Sequence, residues 1–199
     1  TTFANFYVRY LQSEKMAKAN ATFRSGMTQE NSEPLDLPKG VFFHNGNMNP
    51  RKIDGVGTRY SYNFKGDFSD NFQFRFEDPL KGKVSHDIQM NPITNYSFEG
   101  DISKSNGITV KWEGAPLNEN ESMVFLISNE NAKHPPFEIK GGTTTSEIKI
   151  PAEKLTRINT GPSTMYMVRK QTQITQKPNF VALSEMEFYT SEKDIDIVE

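Results

Sequence analysis

Between residues 58 and 77, Tyr60, Tyr62 and Phe64, then Phe72, Phe74 and Phe76, alternate with polar residues on either side of the turn-forming stretch Lys65-Gly66-Asp67-Phe68-Ser69-Asp70. Strand side chains point to opposite faces with period two, so this run predicts a β-hairpin with one aromatic and one solvated face. Arg59, Asn63, Lys65, Gln73, Arg75 and Glu77 fall on the solvated one. A sheet must bury one face, so the aromatic stripe is expected in the core ahead of serving as a carbohydrate or peptide platform.

The same period recurs along the chain. Strands are expected at residues 6–11, 21–24, 41–43 and 83–90, with one or two helical turns allowed within 12–20 and dense turn chemistry at Asn45-Gly46-Asn47-Met48-Asn49-Pro50. Asn91-Pro92-Ile93-Thr94-Asn95 reads as a boundary, because proline cannot donate in a central strand and the pattern restarts after it. In the second half, Ile108, Val110 and Trp112 share one strand face, and the consecutive apolar run 123–127 predicts a strand covered on both sides. Residues 137–140 and 146–150 flank Gly141-Gly142, Pro151 opens a single helical turn, and 164–169 and 181–189 supply the last strands. Residues 191–199 read as a frayed acidic tail. Strands every 8–12 residues with turn signals between them predict an all-β protein, two immunoglobulin-like antiparallel β-sandwiches in tandem. The expected divisions are 1–95 for the first sandwich, 96–191 for the second and 192–199 for the tail.

Composition narrows the function classes. The 15 Phe, 7 Tyr and 1 Trp offer large buried areas, and 23 basic against 25 acidic residues give a net charge of −2. Both argue for a folded chain. With Lys and Arg clustered no further than in pairs (Arg51-Lys52, Arg169-Lys170), the electrostatic footprint of a nucleic-acid binder is missing. The absence of cysteine excludes disulfides, thiolate zinc sites and a cysteine nucleophile in this chain. No stretch approaches the roughly 20 apolar residues of a membrane helix. The start at Thr1-Thr2, without an initiator methionine or signal peptide, is expected of a trimmed or mature form.

The second half, with Asn106-Gly-Ile-Thr-Val-Lys-Trp-Glu-Gly114, Phe137-Glu-Ile-Lys140, Glu147-Ile-Lys-Ile-Pro151, and Leu155 followed by Gly161, resembles the immunoglobulin and fibronectin type III-like modules of uncharacterised bacterial secreted proteins and envelope lipoproteins. The resemblance covers about 100 residues and brings no catalytic residues with it. It implies a periplasmic, cell-surface or secreted protein. Such lipoproteins carry a lipidated cysteine at the mature N-terminus; this chain has none, so membrane association would run only through an anchor outside it.

Candidate chemistry is sparse. His44, His86 and His134 never pair at metal-ligand spacing, and His86-Asp87 lacks a Gly-x-Ser-x-Gly elbow to complete a triad. The best oxygen-ligand cluster for calcium is Asp67, Asp70 and Asn71, with Asp54-Gly55 second; neither has the spacing of a calcium loop, and turn duty is the better account. Glu113, Glu119, Glu121 and Glu130 could furnish a glycosidase pair but read as a solvated acidic loop. Asn20, Asn95 and Asn120 match the N-glycosylation pattern. The expected function is therefore a non-enzymatic envelope or extracellular binding or spacer protein without cofactor, with an envelope protein or glycan as partner. A carbohydrate-active accessory domain or hydrolase, or a surface-fibre subunit using an open sheet edge, are the alternatives.

Overall fold

The computed structural model describes residues 1–130 and 132–199, and they form an almost entirely β protein with one four-residue helix, α1 (Ala152–Leu155). In chain order the strands are β1 (Thr2–Leu11), β2 (Met16–Gly26), β3 (Ser32–Pro34), β4 (Val41–Phe43), β5 (Gly46–Asn47), β6 (Asn49–Ile53), β7 (Gly57–Lys65), β8 (Asn71–Asp78), β9 (Gly82–Gln89), β10 (Asn95–Ser103), β11 (Gly107–Glu113), β12 (Glu121–Asn129), β13 (Ala132–Lys133), β14 (Phe137–Lys140), β15 (Glu147–Ile150), β16 (Gly161–Lys177), β17 (Phe180–Tyr189) and β18 (Lys193–Val198). No helix among the described residues is long and apolar enough to cross a membrane. The chain forms two compact units. Unit 1 holds Thr1–Tyr10, Glu14–Met90 and Thr172–Glu187; unit 2 holds Leu11–Ser13, Asn91–Gln171 and Phe188–Glu199. Segment 172–187, expected in the second half, thus packs in unit 1.

Unit 1 stacks two layers. One is the sheet β17-β1-β2-β7-β6, with β3 on the far part of β2; the other is β5-β4-β8-β9. The expected hairpin 58–77 is not formed: β7 pairs with β2 and β6, while β8 pairs with β4 and β9 in the second layer. The residues opposite explain why. Register sets Ala21 against Tyr60, Ala19 against Tyr62 and Ala17 against Phe64, so an alanine strand leaves room for rings. Those alanines also let the phenylalanines of β8 come down from the other layer. Phe74 lies 4.5 Å from Phe6, and Phe76 lies 4.8 Å from Phe23, between ring centroids. Six rings on one hairpin face would have nothing small to close against; divided between layers, they interdigitate. Tyr60, Phe72, Phe74 and Phe76 are buried as expected, Tyr62 is half-buried, and Phe64 remains 38% exposed. The stretch expected to allow helical turns is a turn through Lys15 (φ 49°) followed directly by β2.

Unit 2 runs β15-β11-β10-β18-β16-β12-β14, with β13 also on β12. Val110 and Trp112 point into its core, and the indole Nε1 donates to Ala115 O at 2.9 Å. The apolar run of β12 buries Met123, Phe125 and Ile127 on one face; Val124 and Leu126 are only half-buried on the other, flanked by Val168 and Tyr166 of β16. The expected frayed tail is instead β18. It pairs antiparallel with β16 and parallel with β10, burying Ile197, so unit 2 is not purely antiparallel. Tyr96 secures this seam: its hydroxyl donates to Met165 O (2.7 Å), and burial pushes its pKa up to about 12.

Candidate functional site

Three adjoining hollows mark the surface of unit 1. The first, about 400 Å³, lies on the solvent side of the four-stranded layer. Alternation along β4 buries Val41 and Phe43 and turns Phe42 outward. Register then places Phe42, Arg75 and Ser85 in one cross-strand row and Glu77 beside Lys83 in the next. The Arg75 guanidinium stands over the Phe42 ring, 5.8 Å from its centroid, while its Nη2 donates to His44 O at 2.7 Å. Lys39 Nζ meets Glu77 Oε1 at 2.5 Å. Such exposed pairs contribute at most about 1 kcal/mol, so this one orients groups more than it stabilises the fold.

The second hollow, about 510 Å³, shares Lys39 and Gly40 with the first and follows the loop from Asp36 to Gly40. The Tyr60 hydroxyl holds that loop, accepting from Leu37 N at 2.8 Å; burial raises its pKa. The third, about 480 Å³, shares Asp36, Lys52 and Thr58 with the second and reaches Arg24, Pro34 and Asp54. Asp36 accepts from Thr58 Oγ1 (2.5 Å) and faces Lys52 Nζ (3.3 Å), and these two partners, the threonine first, hold its carboxyl below the usual carboxylate range. Ring face, hydroxyl, guanidinium, ammonium and ionised carboxylate thus succeed one another along one surface. Together they fit a polar, extended ligand. Asp36 is stabilised as the anion, the opposite of what a proton-donating glycosidase acid requires.

The other sequence candidates are dispersed. Asp67 pairs with Lys15 (2.9 Å), which lowers its pKa, Asp70 offers its backbone oxygen to Met90 N, and Asn71 opens β8. Among the described residues no three His, Asp or Glu side chains gather as metal ligands. His86 is buried, stacked 4.7 Å from Phe6, with Nε2 2.9 Å from Ser184 Oγ. Desolvation lowers its pKa, with Lys177 adding to the effect. Ser184 is wholly buried, and Asp87 points the other way to accept from Gln73, so no triad forms there. His44 adopts φ 50° and rests on Phe43, Phe64 and Phe72, its pKa lowered by burial; His134 lies after β13. Glu121 is buried against Arg169, Glu113 meets Thr94 and Asn95, and Glu119 and Glu130 are exposed. Of the glycosylation-pattern asparagines, Asn20 accepts from Ser61, Asn95 accepts from Lys193, and Asn120 is exposed.

Sequence reasoning missed the hollows because their walls come from Arg24 and from three separate segments, 33–42, 47–60 and 75–85. Their one legible trace was the polar face of β8, where Arg75 and Glu77 were placed correctly. No protein-family model matches the chain, and no curated protein matches it. Among solved structures, the Bacteroides ovatus mixed-linkage glucan utilization locus SGBP-B in complex with mixed-linkage heptasaccharide is similar over 92% of this chain and 43% of that one, at 10% identity and a TM-score of 0.23. This chain thus spans less than half of that chain's length, and likeness at that level establishes no shared fold.

Proposed function

We propose that this chain is a non-enzymatic binding module of the cell envelope or extracellular space that takes an extended glycan along the three adjoining hollows of unit 1. The observation that carries this reading is their continuity through shared walls, Lys39 and Gly40, then Asp36, Lys52 and Thr58. A row of hollows suits a linear polymer better than a compact metabolite. The ionised Asp36 and the outward Phe42 support recognition over bond cleavage. The scaffold reading is part of the proposal. In unit 2, β10, β11 and β15 take the places of strands A, B and E, and β14, β12, β16 and β18 those of C′, C, F and G, which supports an immunoglobulin or fibronectin type III-like sandwich.

Calorimetric titration with a panel of neutral and acidic oligosaccharides tests the function. Saturable binding is expected, weakened about tenfold or more, or about 1.4 kcal/mol, by Phe42→Ala or Arg75→Ala. Absence of binding across the panel, or cleavage of any member, would overturn it. Fractionation of the source cells tests the compartment, and recovery in the cytosol would remove that part.

A further inference from the structure

Strand β6 presents alternate residues to two sides of its sheet. Pro50 and Lys52 line the hollows, whereas Asn49 and Arg51 stand on the side turned away from the four-stranded layer. On that side the registers of β6, β7 and β2 build a ladder. Arg51 lies directly opposite Arg59, with Thr22 beyond it. Asn49, Ser61 and Asn20 form the next row, tied by Ser61 Oγ donating to Asn20 Oδ1 at 2.8 Å; Asn63 and Lys18 form the third. These positions carry three cations, three amides and two hydroxyls, and no carboxylate.

Like charges directly opposite each other on adjacent strands are destabilising. The side chains of Arg51 and Arg59 are both exposed and make no ion pair or hydrogen bond among the described residues. The cost is met by nothing in unit 1 itself, which points to an anion from outside. A planar guanidinium binds carboxylate in a bidentate fork. Amides and hydroxyls between the cations supply donors and acceptors for a hydroxyl-rich chain. A densely phosphorylated polymer fits less well, because three spaced cations on a chain of net charge −2 release few counterions.

We propose that this ladder binds an acidic polysaccharide, a chain of sugars bearing spaced carboxylates. Its residues differ from those of the hollows, so the two sites succeed or fail separately. The test titrates oligogalacturonate and its methyl-esterified, uncharged form into the wild-type chain, the Arg51→Ala/Arg59→Ala variant and Phe42→Ala. The expected result is binding of the acidic form that weakens tenfold or more on esterification and in the double-arginine variant, and falls with added salt. Thermal denaturation should show the double variant at least as stable as wild type, since a repulsive pair has gone. Arg51→Lys/Arg59→Lys, which keeps charge but loses the fork, should recover part of the affinity. Four results would overturn the proposal: no binding of oligogalacturonate; equal affinity in the double-alanine variant; loss only in Phe42→Ala; or displacement by single-stranded DNA at matched charge, which would mark a nonspecific polyanion surface.

Discussion

Arg169 and Glu121 are opposite charges with side chains 1% and 0% exposed, and their surroundings account for every polar atom. Arg169 Nε and Nη2 reach the two Glu121 oxygens at 3.1 and 2.6 Å, while Nη1 and Nη2 also donate to Ala115 O and Pro116 O. Glu121 accepts besides from Asn118 N and Asn91 Nδ2. Breaking such a pair leaves a charge in a low dielectric, so Glu121→Leu should cost about 3–5 kcal/mol in urea denaturation. Glu121→Leu/Arg169→Met should recover part of that loss; a double variant no more stable than the single one would trace the loss to repacking around the new leucine and not to the stranded guanidinium. Sequence could not reveal this role, because the partner lies 48 residues away and glutamates in a polar stretch all read as solvated. His86 makes a second residue-scale prediction. Burial lowers its folded pKa below the ordinary 6.5, as it does for His44. Above 6.5 both states are neutral and stability is full; below it the unfolded chain takes a proton that the folded one refuses, and stability falls. Unfolding free energy should therefore drop from pH 8 to about pH 5, a window above the carboxylate range, and drop less in His86→Gln. An unchanged slope in that variant would assign the effect elsewhere.

At the scale of elements, period-two alternation located strands reliably and their partners poorly. Which face of β8 is buried was legible; that β7 and β8 lie in different layers was not, because pairing depends on Ala17, Ala19 and Ala21, distant in sequence and with little strand propensity of their own. The tail shows the opposite error. Residues 194–197 alternate acidic and apolar residues, the signature of a half-buried strand, yet their acidity and terminal place suggested fraying. Ile197 is buried where β18 joins β10 to β16, so Ile197→Ala should cost about 2–5 kcal/mol. Hydrogen exchange checks it: backbone amides of β10 and β16 should lose protection, and retained protection would mean that β18 is dispensable.

Across the whole molecule, the chain visits each compact unit more than once. The proline-bearing break at 91–95 is a local signal and says nothing of a return about 80 residues later, when Thr172–Glu187 joins unit 1. That segment is part of its core. Phe180 sits 6.1 Å from both Phe76 and His86 between ring centroids, and Ala182, Ser184 and Met186 are buried beside β1. A polypeptide ending at residue 95 keeps all three hollows in sequence but lacks the strand that covers one side of β1 and meets the His86 imidazole. With β1 left as an apolar edge and His86 without its hydroxyl partner, the fragment should hold strand structure without fixed packing. Its amide spectrum should be poorly dispersed and it should bind a hydrophobic dye, and a peptide spanning 172–187 added in excess should restore dispersion by binding the folded form. A fragment 1–95 that is well dispersed alone would show that the returning hairpin is an accessory, and that unit 1 folds from its first ninety-odd residues.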